Sequence, residues 1–184
     1  MAGSIFIGVY VGARVGIGKE SASHMSFIWW VITRLMFLAA IGSVRNFAMF
    51  YVKDVLKVPN AATVTTYLTA VIFIFLLISS IIGGNLADRM GRKRLLTVAG
   101  LLAVLGTVIL VFAHTIPIVM ISGVFIGLGT GTFMASNWAL GTDLVPKENA
   151  GRYLGISNLA GAGAGIVGSS LGGPLADYFN AIQS

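Results

Sequence analysis

Two guanidinium groups, Arg34 and Arg45, stand inside one long apolar stretch, eleven residues apart. Eleven residues make about three turns of α-helix, so the two share a face. A charge within a spanning helix is costly and is usually paired or functional, which makes this face a candidate for holding an anionic solute. Each also lies about two turns from a helix end, so snorkelling to the interface is the competing reading. Asn46, Ser80, Asn137 and Asn158 add polar groups to apolar stretches, where they meet either a solute or, more commonly, a neighbouring helix. The six acids (Glu20, Asp54, Asp88, Asp143, Glu148 and Asp177) fall outside the apolar runs or at their ends. None is placed to relay a proton across an apolar interior or to neutralise the arginines at depth. His24 and His114 are isolated, and there is no cysteine. With no convergent acid, base and nucleophile, and no metal-ligand set, neither an enzyme nor a cofactor is expected. Gly163-Ala164-Gly165-Ile166-Val167-Gly168 has dinucleotide-fingerprint spacing, but it lies within an apolar helix rather than after a strand. Close helix packing explains it better, through small residues at 161, 165, 168 and 172, and the stripe Gly123, Gly127, Gly131 reads the same way.

The elements that carry these residues follow from composition. Of 184 residues, 57% are apolar and only 10% charged, against about 25% charge in soluble domains. Too little charge remains to cover a surface in water, so lipid is the solvent. The net charge of +6 reflects membrane topology rather than nucleic-acid binding, because no basic face on a soluble domain is present. A spanning helix needs about 20 apolar residues, and five segments supply them: 27–52, 64–86, 95–113, 116–140 and 153–175. The expected fold is all-α and integral to the membrane, with residues 27–184 as the transmembrane domain. Residues 1–26 read as an irregular or interfacial extension, because Ile5–Val15 lacks a basic n-region and is interrupted by Arg14. Aromatic residues near the ends, including Trp29, Trp30, Tyr51, Tyr67, Trp138 and Tyr153, form the expected interfacial belt.

Eight of the twelve basic residues fall on the side of the N-terminus, and only Lys53 and Lys57 on the other. The positive-inside rule then puts the N-terminus in the cytoplasm and the C-terminus outside a cell membrane. Ile81–Asp88 and Ser170–Asp177 match at five of eight positions. Three helices separate them, as an inverted three-helix repeat requires.

Between the second and third segments runs Gly84-Asn85-Leu86-Ala87-Asp88-Arg89-Met90-Gly91-Arg92-Lys93-Arg94-Leu95-Leu96. Gly84 would admit a close neighbouring helix and Gly91 a tight turn. Asp88 is placed to meet either a helix N-terminus or a guanidinium. This loop resembles the signature of the major facilitator superfamily, G-x-L-a-D-r-x-G-r-k-x-x-l, at every specified position. A second block, Asp143–Gly155, is similar to the family's loop between its tenth and eleventh helices. The resemblance covers about Phe27–Asn180 and aligns the five segments with the family's seventh to eleventh helices, a partial half-bundle.

The resemblance implies that Asp88 braces the helix beginning near Tyr153 and that Arg92 pairs with Asp143. Arg89, Lys93 and Arg152 complete the cytoplasmic cluster. It further implies a small-molecule substrate and a pathway completed by helices this chain does not contain. The chain is expected to be part of a secondary transporter that works with a missing half. The alternative is an accessory subunit derived from a transporter, held by other membrane polypeptides in a larger complex.

Overall fold

The computed structural model describes residues 11–12, 25–145, 150–158, 161–165 and 168. Among them every long element is a helix and there is no strand. Helix α1 runs Met25–Phe50 and continues through a π-helical turn, Tyr51–Val55; α2 is Ala61–Met90, α3 Arg92–Val111 and α4 Ile116–Leu144. All four are long and apolar enough to cross a membrane. Residues 150–158 and 161–165 are also helical. The rest of the expected fifth span, the second copy of the repeat and nearly all of residues 1–26 lie outside the described residues.

The helices overrun the expected spans for a physical reason. Hydropathy falls where the chain meets water, but backbone hydrogen bonding continues until a residue breaks it. Helix α2 has 30 residues, about 45 Å at 1.5 Å per residue, against a hydrocarbon core of about 30 Å. Its last turns therefore project into water and carry Asp88 and Arg89. The basic run expected as a loop is instead helix, one residue, helix: only Gly91 separates Met90 from Arg92. Proline at position 117 suits the first turn of α4, where no intrahelical donor is lost.

The chain divides into two compact units, 44–140 and the pair of segments 1–43 and 141–184. In the 44–140 unit, α4 is the central element, and glycine dictates how it packs. Toward α2, a Cβ at Gly123 would meet Leu68, one at Gly127 would meet the Ile72 carbonyl and Phe75, and one at Gly131 the Leu76 carbonyl. The partners advance 68, 72, 76 as the glycines advance 123, 127, 131, so the two helices run parallel with four-residue ridges in register. Toward α3 the order reverses: Gly106 faces Ser122 and Ile126, while Gly129 faces Ala99 and Ala103. These two helices are antiparallel. Lipid is as apolar as a helix face, so this association depends on close van der Waals contact, which small residues permit. The stripe expected at 123, 127 and 131 is therefore present, and Gly106 and Gly129 add a second seam.

Embedded hydroxyls are satisfied mainly by their own helices. Thr65, Thr69, Thr107, Thr130 and Ser136 each donate to the carbonyl four residues back. Ser79 also reaches across helices: its Oγ lies 3.4 Å from the Gly127 carbonyl oxygen and 3.2 Å from that of Leu76. Ser80, the residue singled out from the sequence, is only half-buried.

At the far end of the unit, the Tyr51 hydroxyl sits 2.9 Å from the Val111 carbonyl oxygen and 3.0 Å from that of Ala113. It satisfies carbonyls that the end of α3 leaves without intrahelical partners. Tyr51→Phe is expected to cost about 1 kcal/mol. Denaturant titration of the purified protein would show this as a lowered midpoint, whereas an unchanged midpoint would mean that water or lipid headgroups serve those carbonyls equally well.

In the other unit, α1 packs on the helical residues 150–158 and 161–165 and on Gly168. Phe27 meets Tyr153 edge-on at 4.8 Å between ring centroids. Cβ atoms at Gly161 and Gly168 would meet Leu38 and the Ala39 carbonyl, respectively. Contacts advance together along both chains, so the two are parallel. Trp30 and Tyr153 are buried, not interfacial as expected, because Trp30 fills the space left by Gly141. Trp29, Tyr67 and Trp138 are exposed.

Candidate functional site

Gly91 has φ +86° and ψ 134°, backbone that L side chains rarely adopt. Its N–H closes the last turn of α2 on the Ala87 carbonyl at 3.1 Å, and its own carbonyl accepts from Leu95 at 3.2 Å. One residue thus ends α2 and opens α3, reversing the chain with no loop between. This conformation requires glycine, so the tight turn expected at Gly91 is present.

Arg92 follows as the first residue of α3, and its Nη1 donates to the carbonyl oxygen of Ala139 on α4. Ala139 lies in the last turns of α4, one turn before Asp143. The guanidinium therefore supplies a donor near the C-terminal end of α4, the negative end of the helix dipole. Lys93 and Arg94, beside it, are exposed, as are Asp88 and Arg89 at the end of α2. The cluster is an electropositive helix–helix corner with one of its cations anchored to backbone.

Gly84 is placed differently from the expectation. A Cβ there would meet no described atom within 4 Å, whereas one at Gly83 would lie 3.2 Å from Ala135 Cβ and 3.5 Å from Thr132 Cα. The close approach belongs to Gly83. A shift of one residue turns a helix by about 100°, so the neighbouring glycine faces elsewhere. Asp143 and Arg152 are both exposed.

The candidate solute contacts separate clearly. Arg34 is 7% exposed, the one charged residue buried among those described, with its guanidinium carbon 5.9 Å from the centre of the Trp30 ring. Arg45 and Asn46 are exposed on α1. Asn137 is fully buried in α4, and Asn158 is exposed. The shared face expected for the two arginines does not give them a shared environment. Sequence reading missed Ser157, which is fully buried one turn after Tyr153 and whose Oγ has no hydrogen-bond partner. Nothing in a serine-containing apolar run distinguishes it.

With this geometry in hand, comparison with known proteins is informative. The sequence profile of the Major Facilitator Superfamily matches residues 12–169, and the match begins upstream of Phe27. The chain is 30% identical over 90 residues to the minor myo-inositol transporter IolF of Bacillus subtilis (strain 168), covering 49% of this chain and 20% of that protein. It is 33% identical over 110 residues to the multidrug resistance protein MdtG of Rahnella sp. (strain Y9602), covering 60% and 26%. To the uncharacterized MFS-type transporter YfiU of Bacillus subtilis (strain 168) it is 32% identical over 97 residues, covering 52% and 18%. The chain thus spans only about a fifth to a quarter of the length of these relatives.

Proposed function

Because the chain belongs to the major facilitator superfamily, a family of multi-pass membrane transporters, we propose that it forms part of a secondary transporter moving a small solute across the membrane together with a complementary half-bundle. The observation that carries this reading is the α2–Gly91–α3 corner with Arg92 anchored on α4. A corner serving topology alone would need only positive charge. Here a glycine-only backbone conformation aims one guanidinium at a helix end.

In this reading the corner is a cytoplasmic gate element. Arg92 pairs with Asp143, Asp88 braces the helix that contains Tyr153, and Arg89, Lys93 and Arg152 complete the charged cluster. The contact of Asp88 with that helix parts when the pathway opens on that side, while Arg92 stays with α4. The N-terminus is cytoplasmic in this reading, supported by the excess of Arg and Lys on that side, and the bilayer is the cytoplasmic or plasma membrane. Relatives named for a polyol and for drugs support a small organic solute without choosing one.

The test begins with gentle extraction from the native membrane. Copurification with, or covalent continuity to, a second facilitator-like half supports the reading. Copurification with an unrelated assembly would replace it with an accessory-subunit role. In the reconstituted assembly, Arg92→Gln is expected to slow uptake at least tenfold, on the order of 1.4 kcal/mol or more, while leaving folding intact. Uptake matching the unaltered protein would remove Arg92 from the gate.

A further inference from the structure

We propose that the outward face of α3 binds an anionic phospholipid, its phosphate held by Lys93 and Arg94 and one acyl chain lying along the apolar track that follows them. The inference goes beyond the transport reading and needs only that the chain spans a membrane. Helix α3 buries Leu95, Ala99, Ala103, Gly106 and Leu110, and Ala99, Ala103 and Gly106 lie against α4. Those positions recur every three or four residues, so one face is committed to packing and the opposite face is not. The opposite face carries Lys93 and Arg94 in the first turn and Leu101, Val104, Leu105 and Val108 beyond it, all exposed.

The track changes from charge to hydrocarbon within one turn. No charged residue occurs on α3 after Arg94. Thr97 and Thr107 donate to the Lys93 and Ala103 carbonyls four residues back, at 3.3 and 2.9 Å, so beyond the first turn the outward face offers only apolar contact. Leu101 is 64% exposed, so no described helix covers the middle of the track. A phospholipid has the same order along the same direction, phosphate first and then acyl chain.

Charge selects the headgroup. Residues 89–94 hold four cations, Arg89, Arg92, Lys93 and Arg94, against one neighbouring acid, Asp88. Arg92 is turned to the Ala139 carbonyl. No ion pair joins Arg89, Lys93 or Arg94 to another described residue. A phosphodiester accepts hydrogen bonds from both a guanidinium and an ammonium, and long basic stems extend along apolar surface to reach it. Basic clusters beside a spanning helix attract anionic lipid for this reason. Topology alone requires positive charge on one side of the membrane, not charge in line with an uncovered apolar track. The signature also leaves position 94 unspecified, so Arg94 is a feature of this chain rather than of the motif.

The test uses the protein gently extracted with its native partners into a neutral detergent. Thermal unfolding is followed as phosphatidylglycerol is added, with phosphatidylcholine of the same acyl chains as the uncharged control. A saturable rise in Tm is expected with phosphatidylglycerol and a much smaller one with phosphatidylcholine. The phosphatidylglycerol needed for half the rise should increase severalfold in the double variant Lys93→Gln, Arg94→Gln, and less in Arg94→Gln alone. It should stay unchanged in Lys53→Gln, Lys57→Gln, which removes the same charge at the other end of the helices. Equal rises with the two lipids overturn the site. So does an unchanged midpoint in the double variant, or in Arg94→Gln should the double variant fail to fold. An equal loss in the Lys53, Lys57 variant would show that net charge alone draws the lipid, and overturns it too. Glycerol 3-phosphate, which has the phosphate and no acyl chain, should give no rise. A full rise with it would assign the basic turn to a soluble phosphate and refute the lipid. No rise with phosphatidylglycerol would mean that protein covers this face, and the proposal falls.

Discussion

Replacing Gly131 with leucine is expected to leave no folded protein in the membrane. A Cβ alone at this position would fall on the Leu76 carbonyl and on Ser79 Oγ, inside van der Waals contact with both. One obstacle is backbone, which cannot rotate away as a side-chain tip does. Even Gly131→Ala should cost about 3 kcal/mol, the upper end for overpacked sites, because α2 must back away along its whole parallel seam with α4. Leucine adds three more carbons to the same collision. The control is Gly84→Ala on α2, where no described atom lies within 4 Å. There the change should be neutral or stabilising by about 0.5 kcal/mol, since alanine is the better helix former. Titration of the purified protein with a denaturing detergent would measure both. Equal midpoints for the two alanine variants would show that the α2–α4 seam yields freely.

Gly91→Val should be nearly as damaging, through conformation rather than collision. A Cβ at Gly91 would meet nothing within 4 Å, yet φ +86° is strained for any L residue and most so for a β-branched one. Forcing that backbone costs about 1–3 kcal/mol. The chain has no loop on either side to absorb a change of angle. The corner therefore relaxes at the expense of where α3 starts, and Arg92, the next residue, loses its alignment on Ala139. Under the proposed transport role, uptake by the reconstituted assembly is expected to fall more than tenfold, with a smaller loss in Gly91→Ala. Unimpaired uptake in Gly91→Val would mean that another conformation serves the corner equally well.

These two glycines show what sequence could and could not reveal. Gly91 was legible because its spacing within a charged motif fixed its duty as a turn. The stripe 123, 127, 131 was legible because small residues at four-residue intervals have one common use in lipid. The first four spans and their order were legible from apolar run length. Rotational phase was not. In water a helix shows its buried face by the contrast between polar and apolar residues, but lipid and protein interior are both apolar, so that contrast is lacking. This is why Ser79 rather than Ser80 reaches α4, and why Gly83 rather than Gly84 receives it. It is also why Trp30 is buried while Trp29 remains exposed. Helix ends were misplaced for a different reason. Polarity reports where the chain leaves lipid, whereas hydrogen bonding reports where the helix stops, and in α2 those two points differ.

The way α3 is held at its two ends has a mechanical consequence. At its start, a single residue joins it to α2, so Met90 and Arg92 are separated by only two virtual bonds of about 3.8 Å. At its finish, the Tyr51 hydroxyl ties its terminal carbonyls to the turn that leads toward α2. A rod joined by one residue at its start and hydrogen-bonded at its finish can twist or bow more readily than it can piston along its neighbours by a full helical pitch. With α4 locked in by glycine seams on two sides, the three helices have few internal degrees of freedom. Any stroke they take part in must be a tilt of the whole block, with Gly91 as a corner that moves with it and not as a joint that bends.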